Sequence, residues 1–188
     1  MSGLRARATA WFRPASLLIV PVLEAEPEVA AWLGQDRVDF DGVPLHVTVM
    51  YPFLPARSID AAAEAAVAEL AGDVSPFAFA LTRVGRFPGV HYLAPDPAGQ
   101  FAALTGLVQH LWPACQPYGG VYDTVIPHVT VALGDSPPAD LAALERRLPI
   151  GATADELWLL DQTSRGWVTR RRFPLGESAA EVQVAGQG

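Results

Sequence analysis

The chain has 188 residues, half of them hydrophobic, and a formal net charge of −7 at pH 7. This length suits one domain, and the core it can bury is large enough for folding without disulfides or structural metals. The single cysteine, Cys115, excludes an intramolecular disulfide and a cysteine-rich zinc cluster. The negative charge argues against a protein that binds duplex DNA or long RNA by neutralising phosphates.

The beginning of the chain superficially resembles a signal peptide, because three arginines precede an apolar run at residues 17–23. That run is short, contains Pro21 and leads into acidic residues without a small-residue cleavage site. We therefore predict a buried first strand and a cytoplasmic location. No apolar stretch approaches the ~20 residues that span a bilayer, so no membrane association is expected. We also expect a monomer.

Apolar periodicity and turn residues predict a regular order of elements in the first half of the chain. The predicted elements are a strand at 16–23, a helix at 24–35, a strand at 45–50, a helix at 58–70, and strands at 77–84 and 90–94. Ser58 or Asp60 is expected to cap the second helix, and Gly72 to end it.

The second half repeats this order. The predicted elements are a helix at 97–112, a strand at 125–133, a helix at 137–148, and strands at 156–160 and 167–174. Residues 177–188 carry little pattern, which predicts a disordered tail. No linker separates the two halves, which meet around residues 89–99. We therefore predict one α+β domain over residues 1–176, built from two interleaved lobes.

The tetrapeptide His-Val-Thr-Val occurs twice, at residues 46–49 and 128–131, so that the copies lie 82 positions apart. A repeat at nearly half the chain length indicates two related lobes. Each copy lies in a predicted strand, where side chains at i and i+2 share one face. His46 and Thr48 therefore share a face, as do His128 and Thr130. If the two lobes meet, two imidazoles and two hydroxyls converge.

This set suits in-line phosphoryl transfer without a metal. Histidine titrates near neutral pH, so one imidazole can accept a proton from the nucleophile while the other protonates the leaving oxygen. The threonine hydroxyls can donate hydrogen bonds to the non-bridging phosphate oxygens. One such histidine alone would be read as a structural strand residue. The repetition with matching parity favours a catalytic pair of motifs, and no cofactor is required.

The paired motifs resemble those of the two-histidine (2H) phosphoesterase superfamily, which includes 2′-5′ RNA ligase-like proteins and 2′,3′-cyclic phosphodiesterases. The resemblance covers roughly residues 17–175, with similar segments at 18–22, 44–53, 86–95 and 117–120. It implies two pseudo-symmetric antiparallel β-sheets flanked by helices, with the active cleft between them. It also implies that His46 is the proton donor and His128 the proton acceptor. The double motif is specific for the superfamily but not for a substrate.

Several other residues are candidates for substrate contact. Aromatic rings that could stack on a base are Tyr51, Phe53, Tyr92, Tyr118 and Trp167. Packing in the core or at the rim is the alternative for each of them. We predict substrate contacts for Tyr51, Phe53 and Tyr92, with Tyr92 the strongest candidate, and a phosphate contact for Arg172. His91, His110 and Cys115 are expected to be structural or exposed.

The expected activity is hydrolysis of a 2′,3′-cyclic phosphate or a related small cyclic or oligonucleotide phosphodiester, such as an RNA terminus. Three alternatives stay open. The same residues could catalyse 2′-5′ RNA ligation, although the negative net charge argues against a long RNA substrate. A non-catalytic nucleotide-binding module could keep the fold. A metal site at His46 and His128 would lack further acidic or cysteine ligands.

Overall fold

The structure is a computed structural model that describes residues 15–176, so the predicted disordered tail lies outside the described residues. The strands in this range are β1 Ser16–Pro21, β2 His46–Met50, β3 Phe77–Phe87, β4 Val90–Asp96, β5 Val129–Leu133, β6 Ile150–Ala154, β7 Glu156–Thr163 and β8 Gly166–Pro174. The α-helices are α1 Glu26–Leu33, α2 Ala61–Gly72, α3 Gly99–Leu111 and α4 Leu141–Glu145. Short 3₁₀ turns lie at Leu23–Ala25, Gly34–Asp36, Ala56–Ser58 and Pro117–Gly120.

All eight strands form one antiparallel sheet in the order β6-β3-β4-β5-β2-β1-β7-β8. The predicted α+β class, with antiparallel strands and helices, is confirmed. The resemblance implied two sheets, but the strands join in one because β2 and β5 pair at Val47 and Val129. This is the only paired position between them, so the sheet consists of four strands on each side of a narrow seam. The pseudo-symmetry of two lobes stays a prediction.

Alternation along the strands gives the sheet two different faces. One face forms the main core against the helices, and at the seam it is supplied by Val47, Val49, Val129 and Val131. The opposite face carries a smaller apolar cluster made by Leu17, Ile19, Val43, Trp158 and Leu160. The helix side also holds β2 directly, because the buried Thr105 hydroxyl on α3 donates to the Val49 carbonyl at 3.0 Å. The helix side therefore holds the two seam strands, β2 and β5, in place. Their side chains on the opposite face are left to form a cleft.

Element boundaries differ from the predictions where proline intervenes. β5 begins at Val129, not at residue 125, and Pro127 just before it has no N–H to donate to a ladder. The last helix spans only Leu141–Glu145 rather than 137–148. Pro137 and Pro138 precede it, and Pro149 follows. The sequence analysis does not predict β6, because three of the five residues in Ile-Gly-Ala-Thr-Ala are glycine or alanine, which are depleted in strands. Asp60 does cap α2, since its carboxylate accepts the Ala63 N–H at 2.9 Å.

The β3–β4 hairpin places an aromatic ring directly over a glycine. Gly85 pairs with Tyr92, and a Cβ built on Gly85 would lie 2.2 Å from Cζ of Tyr92. The Tyr92 ring is 5% exposed, stacks on Phe87 at 4.3 Å between centroids, and lies 5.4 Å from the His128 ring. Gly85 is therefore required for close approach of a side chain that packs against a motif histidine.

We predict that Gly85→Ala lowers the free energy of unfolding by about 1–3 kcal/mol, because the trapped Tyr92 ring must move to admit the methyl group. Urea unfolding measures this loss. Gly106→Ala is the matched control, since Gly106 lies in α3 with no atom within 4 Å of an added Cβ. Helix propensity predicts that this control is neutral or stabilising. Equal stability of both variants would contradict the packing described for Tyr92.

Candidate active site

The four motif side chains line one cavity of about 700 Å³ on the face of the sheet opposite the main core. Its full lining is Leu17, Phe40, Val43, His46, Thr48, Tyr51, Phe87, Pro88, Val90, Tyr118, Tyr122, Thr124, Val125, Ile126, His128, Thr130, Leu133, Gln162 and Trp167. A cleft of this size accommodates a small ligand such as a mononucleotide.

The register at the seam sets the arrangement of these side chains. With Val47 opposite Val129 in antiparallel strands, His46 falls across from Thr130, and Thr48 falls across from His128. The two histidines then occupy diagonal positions, and diagonal neighbours of a paired antiparallel ladder are roughly 7–8 Å apart, with their Cβ atoms somewhat closer. A tetrahedral phosphate fits between two imidazoles at that spacing. Each histidine also has a hydroxyl group opposite it.

Both imidazoles are oriented in the same way by the backbone. Nδ1 of His46 lies 2.7 Å from the Pro44 carbonyl, and Nδ1 of His128 lies 2.7 Å from the Ile126 carbonyl. A carbonyl only accepts, so each Nδ1 carries the hydrogen. Nε2 is therefore the atom left for a ligand, as a lone pair in the neutral ring or as a donor in the cation. Each ring donates to the carbonyl two residues upstream, where the chain enters the strand.

Burial disfavours the charged form of both histidines. It lowers the pKa of His46 to about 4, with the nearby His128 acting in the same direction and the Pro44 carbonyl and Glu26 opposing it. Burial also lowers the pKa of His128, against the opposing effect of the Ile126 carbonyl. Both imidazoles are thus neutral at pH 7 in the empty cleft. A bound phosphodiester anion would raise both pKa values, because an adjacent opposite charge favours the protonated form.

A carboxylate stabilises the backbone on the His46 side. One oxygen of Glu26, in the first turn of α1, accepts the Leu45 N–H, and the other accepts from the Arg37 guanidinium. The Leu45 N–H belongs to the peptide whose carbonyl is that of Pro44, the acceptor for His46. Glu26 therefore fixes the peptide that orients the imidazole, and its charge raises the pKa of His46.

Aromatic rings surround His128. Phe87 and Tyr92 contact it edge-on, with centroids at 5.1 and 5.4 Å, and Tyr118 lies nearly parallel to it at 6.5 Å. Tyr118 has a left-handed backbone with φ of 53°, and Gly119 follows with φ of 67°. This bend folds the loop before β5 back over the cleft. Burial raises the pKa of Tyr118, and the neighbouring Thr48 side chain partly offsets this.

The residues predicted to contact substrate are placed differently from one another. Tyr51 lines the cavity, edge-on to Trp167 at 5.9 Å between centroids. Phe53 does not, because it is 5% exposed in the main core and packs against Trp112. Tyr92 is also buried, where it supports His128. The guanidinium of Arg172 lies over the Trp158 ring at 3.9 Å and outside the cavity lining.

Sequence reasoning missed much of the cleft wall. The loop before β5 contributes Tyr122, Thr124, Val125 and Ile126, of which residues 125 and 126 had been assigned to a strand. Gln162 enters the wall from β7 beside its hairpin partner Trp167. The Tyr-Gly-Gly sequence at 118–120 was the available signal for a folded-back loop, since glycines permit the left-handed backbone. Nothing local indicates that Gln162 faces the seam.

The described residues contain neither a cluster of potential metal ligands nor a membrane-spanning helix. Between residues 15 and 176, no group of three or more His, Cys, Asp or Glu side chains is arranged to hold a metal ion. In the same range, no helix has the length and apolar character needed to cross a bilayer.

Comparison with solved structures identifies proteins of the same fold. E. coli LigT in complex with 3′-AMP superimposes with a TM-score of 0.60 at 19% identity, covering 87% of this chain and 99% of LigT. The complex of LigT with NADP+ superimposes with a TM-score of 0.58 at 18% identity, covering 87% of this chain and 99% of LigT. A crystal structure of a phosphoesterase superimposes with a TM-score of 0.60 at 17% identity, covering 87% of this chain and 99% of the phosphoesterase. At these identities the likeness establishes the fold.

Sequence comparison establishes the family. None of the curated proteins matches the chain, but the sequence profile of the 2′-5′ RNA ligase superfamily matches residues 21–166. This segment includes both His-Val-Thr-Val motifs and most of the sheet. The membership in the two-histidine phosphoesterases that the repeated motif predicted is confirmed: the chain belongs to the 2′-5′ RNA ligase superfamily.

Proposed function

We propose that this protein is a metal-independent phosphodiesterase that hydrolyses a 2′,3′-cyclic phosphate or a related small phosphodiester. The observation that carries the proposal is the arrangement of the four motif side chains. His46, Thr48, His128 and Thr130 line one cavity, and both imidazoles present Nε2 because their Nδ1 atoms donate to backbone carbonyls. The 3′-AMP bound in a crystal of LigT supports a nucleotide substrate.

The proposed reaction is an in-line displacement at phosphorus. Nε2 of the neutral His128 takes a proton from water as the water oxygen bonds to phosphorus. The bond from phosphorus to one ribose oxygen breaks, and the protonated His46 transfers its proton to that oxygen. The Thr48 and Thr130 hydroxyls donate to the non-bridging oxygens, where charge accumulates in the transition state. The product is a phosphate monoester. At the end of the reaction His128 is protonated and His46 is neutral.

The assignment of His46 as acid and His128 as base is the order implied by the family resemblance. Glu26 supports it, since the carboxylate contacts the peptide next to Pro44 and favours the imidazolium of His46. Burial opposes it and lowers the pKa of His46 to about 4 in the empty cleft. The negative charge of a bound phosphodiester acts in the same direction as Glu26. We therefore place the acid at His46 in the substrate complex.

Loss of either histidine should remove most of the activity. We expect His46→Ala and His128→Ala each to lower kcat by about 10²–10⁴-fold on a 2′,3′-cyclic nucleotide, because each removes one proton-transfer step. The wild-type rate should be unchanged in EDTA. The control is His110→Ala, an exposed histidine on α3 outside the cavity, which should keep full activity.

Circular dichroism and urea unfolding separate loss of function from loss of fold in these variants. A folded His46→Ala or His128→Ala protein that turned over substrate at the wild-type rate would overturn the proposal. Product analysis with RNA ends in place of the cyclic nucleotide would reveal joining of strands, the reverse use of the same residues.

The roles of the two histidines can be separated with a good leaving group. A p-nitrophenyl phosphodiester releases a stable anion that needs no proton, so loss of the general acid should matter little. We expect His46→Ala to regain most of its lost rate on this substrate, while His128→Ala stays impaired. The rates of both variants are measured from the stopped-flow absorbance of p-nitrophenolate. The opposite pattern would assign the acid to His128.

The pH dependence follows from the lowered pKa values. Catalysis requires one proton on the histidine pair, and this form titrates as a unit whichever ring holds it. The pKa of His46 is about 4 and that of His128 lies below 6.5. Above both values the singly protonated form disappears, so kcat/KM should fall about tenfold per pH unit above pH ~6.5. Below both values a second proton blocks the base.

We therefore expect kcat/KM to be maximal on the acidic side of pH ~6.5 and the descending limb of kcat to lie at higher pH. The shift of kcat follows because bound phosphodiester raises the pKa values in the complex. Initial rates from pH 4 to 9 at constant ionic strength test this. A kcat/KM profile that is flat, or still rising at pH 8, would contradict it.

A further inference from the structure

Among residues 15–176, no ionised side chain lines the cavity that contains the motif histidines. Of its lining residues, none is Asp, Glu, Arg or Lys. The polar groups are the two histidines, the hydroxyls of threonine and tyrosine, and the Gln162 amide. The remaining wall is aliphatic or aromatic, with exposed apolar side chains at Tyr122, Ile126 and Leu133. A phosphate that enters this space meets dipoles and one possible imidazolium, and no permanent cation.

Arginines in the described part of the chain are engaged elsewhere or lie outside the wall. Four form ion pairs with carboxylates: Arg37 with Glu26, Arg147 with Glu28, Arg170 with Glu64 and Asp161, and Arg171 with Glu64. The guanidinium of Arg86 donates to the Asp135 carbonyl at 2.6 Å, and that of Arg172 covers Trp158. Arg57, Arg83, Arg146 and Arg165 are exposed and absent from the lining.

Carboxylates instead flank the wall. Asp39 and Asp41 are the chain neighbours of Phe40, and Asp123 lies between Tyr122 and Thr124. All three aspartates are exposed to solvent. Arg86 precedes the lining residue Phe87 in the same way, so the described chain neighbours of the wall carry more negative than positive charge, in keeping with the net charge of −7.

A phosphodiester carries one negative charge, which this cleft can stabilise. The two threonine hydroxyls and the proton on the histidine pair are sufficient for that single charge. A second phosphate would have to leave water for a wall without a cation, or stay beside the aspartates at the rim. Burial of an ion without a partner is strongly unfavourable, and like charges nearby oppose it further.

We propose that the cleft selects substrates whose only negative charge is that of the phosphodiester under attack. The substrate class is a nucleoside 2′,3′-cyclic monophosphate, or a similarly small monoanionic diester with an apolar or aromatic substituent. Nucleotides that carry an additional terminal phosphate are disfavoured. This inference rests on the proposed function and narrows its substrate.

The test compares adenosine 2′,3′-cyclic phosphate with the same compound carrying a 5′-phosphate. The added group contributes −1.5 to −2 charges at neutral pH and leaves the reacting centre unchanged. We expect kcat/KM to be at least about tenfold lower for the 5′-phosphorylated compound at low ionic strength, with a smaller difference in high salt because exposed charges are screened. Equal kcat/KM values would overturn the proposal.

A cation placed on the wall should relax the discrimination. Leu133 lines the cavity at the end of β5 and is 60% exposed, so Leu133→Arg can extend its guanidinium without burial. We expect this variant to reduce the ratio of the two kcat/KM values severalfold. The matched control is Leu111→Arg, a 50% exposed leucine at the end of α3 that does not line the cavity. An unchanged ratio in Leu133→Arg, or an equal reduction in Leu111→Arg, would count against the proposal.

Binding separates failure of this inference from failure of the proposed function. If the wild type turned over neither compound, the proposed hydrolysis would be wrong. Calorimetric titration of the same two compounds would then still test the selectivity, with tighter binding of the singly charged one expected. Equal affinities would overturn the charge selection even if the hydrolysis were established.

Discussion

One backbone contact, between Val47 of β2 and Val129 of β5, determines the arrangement of the candidate active site. It joins four strands on each side into a single sheet and places the two His-Val-Thr-Val segments side by side. Both valines are fully buried against the helix side, where the apolar core stabilises the seam. Because side chains alternate along a strand, packing the valines on one face puts the histidines and threonines on the other. The chemistry of the cleft is thus a consequence of how its opposite face packs.

The same seam explains the electrostatic character of the site. The side chains around it are largely apolar, so the imidazoles lose hydration and their pKa values fall. In the proposed reaction the two histidines share one proton, and the charge of a bound phosphodiester would favour that proton. Binding of the anion and protonation of the pair are therefore coupled. The arginines of residues 15–176 lie outside the cavity wall, and four of them are paired with carboxylates, which leaves this coupling largely to the histidines and threonines.

His46 and His128 lie on opposite sides of the seam and are held in place by different kinds of contact. Glu26 stabilises the peptide that orients His46, through an N–H of the main chain. His128 is packed among Phe87, Tyr92 and Tyr118, with Gly85 giving Tyr92 the room it needs. The two motifs are identical in sequence, yet one has a charged neighbour and the other an aromatic enclosure. The surroundings of the two imidazoles therefore differ, and the proposed reaction needs two imidazoles in opposite protonation states.

The sequence by itself determined the motif residues, their parity on the strands, the family and the α+β class, because these depend on local periodicity and on an exact internal repeat. It also identified Asp60 as a helix cap, a local interaction between a side chain and an N–H three residues on. Only the tertiary structure decided that the halves share one sheet, that Phe53 and Tyr92 are buried, and that Gln162 and the loop before β5 form the wall. Those outcomes depend on contacts between segments far apart in the chain. No residue's own pattern specifies which side of a strand will meet solvent once another strand has been placed beside it.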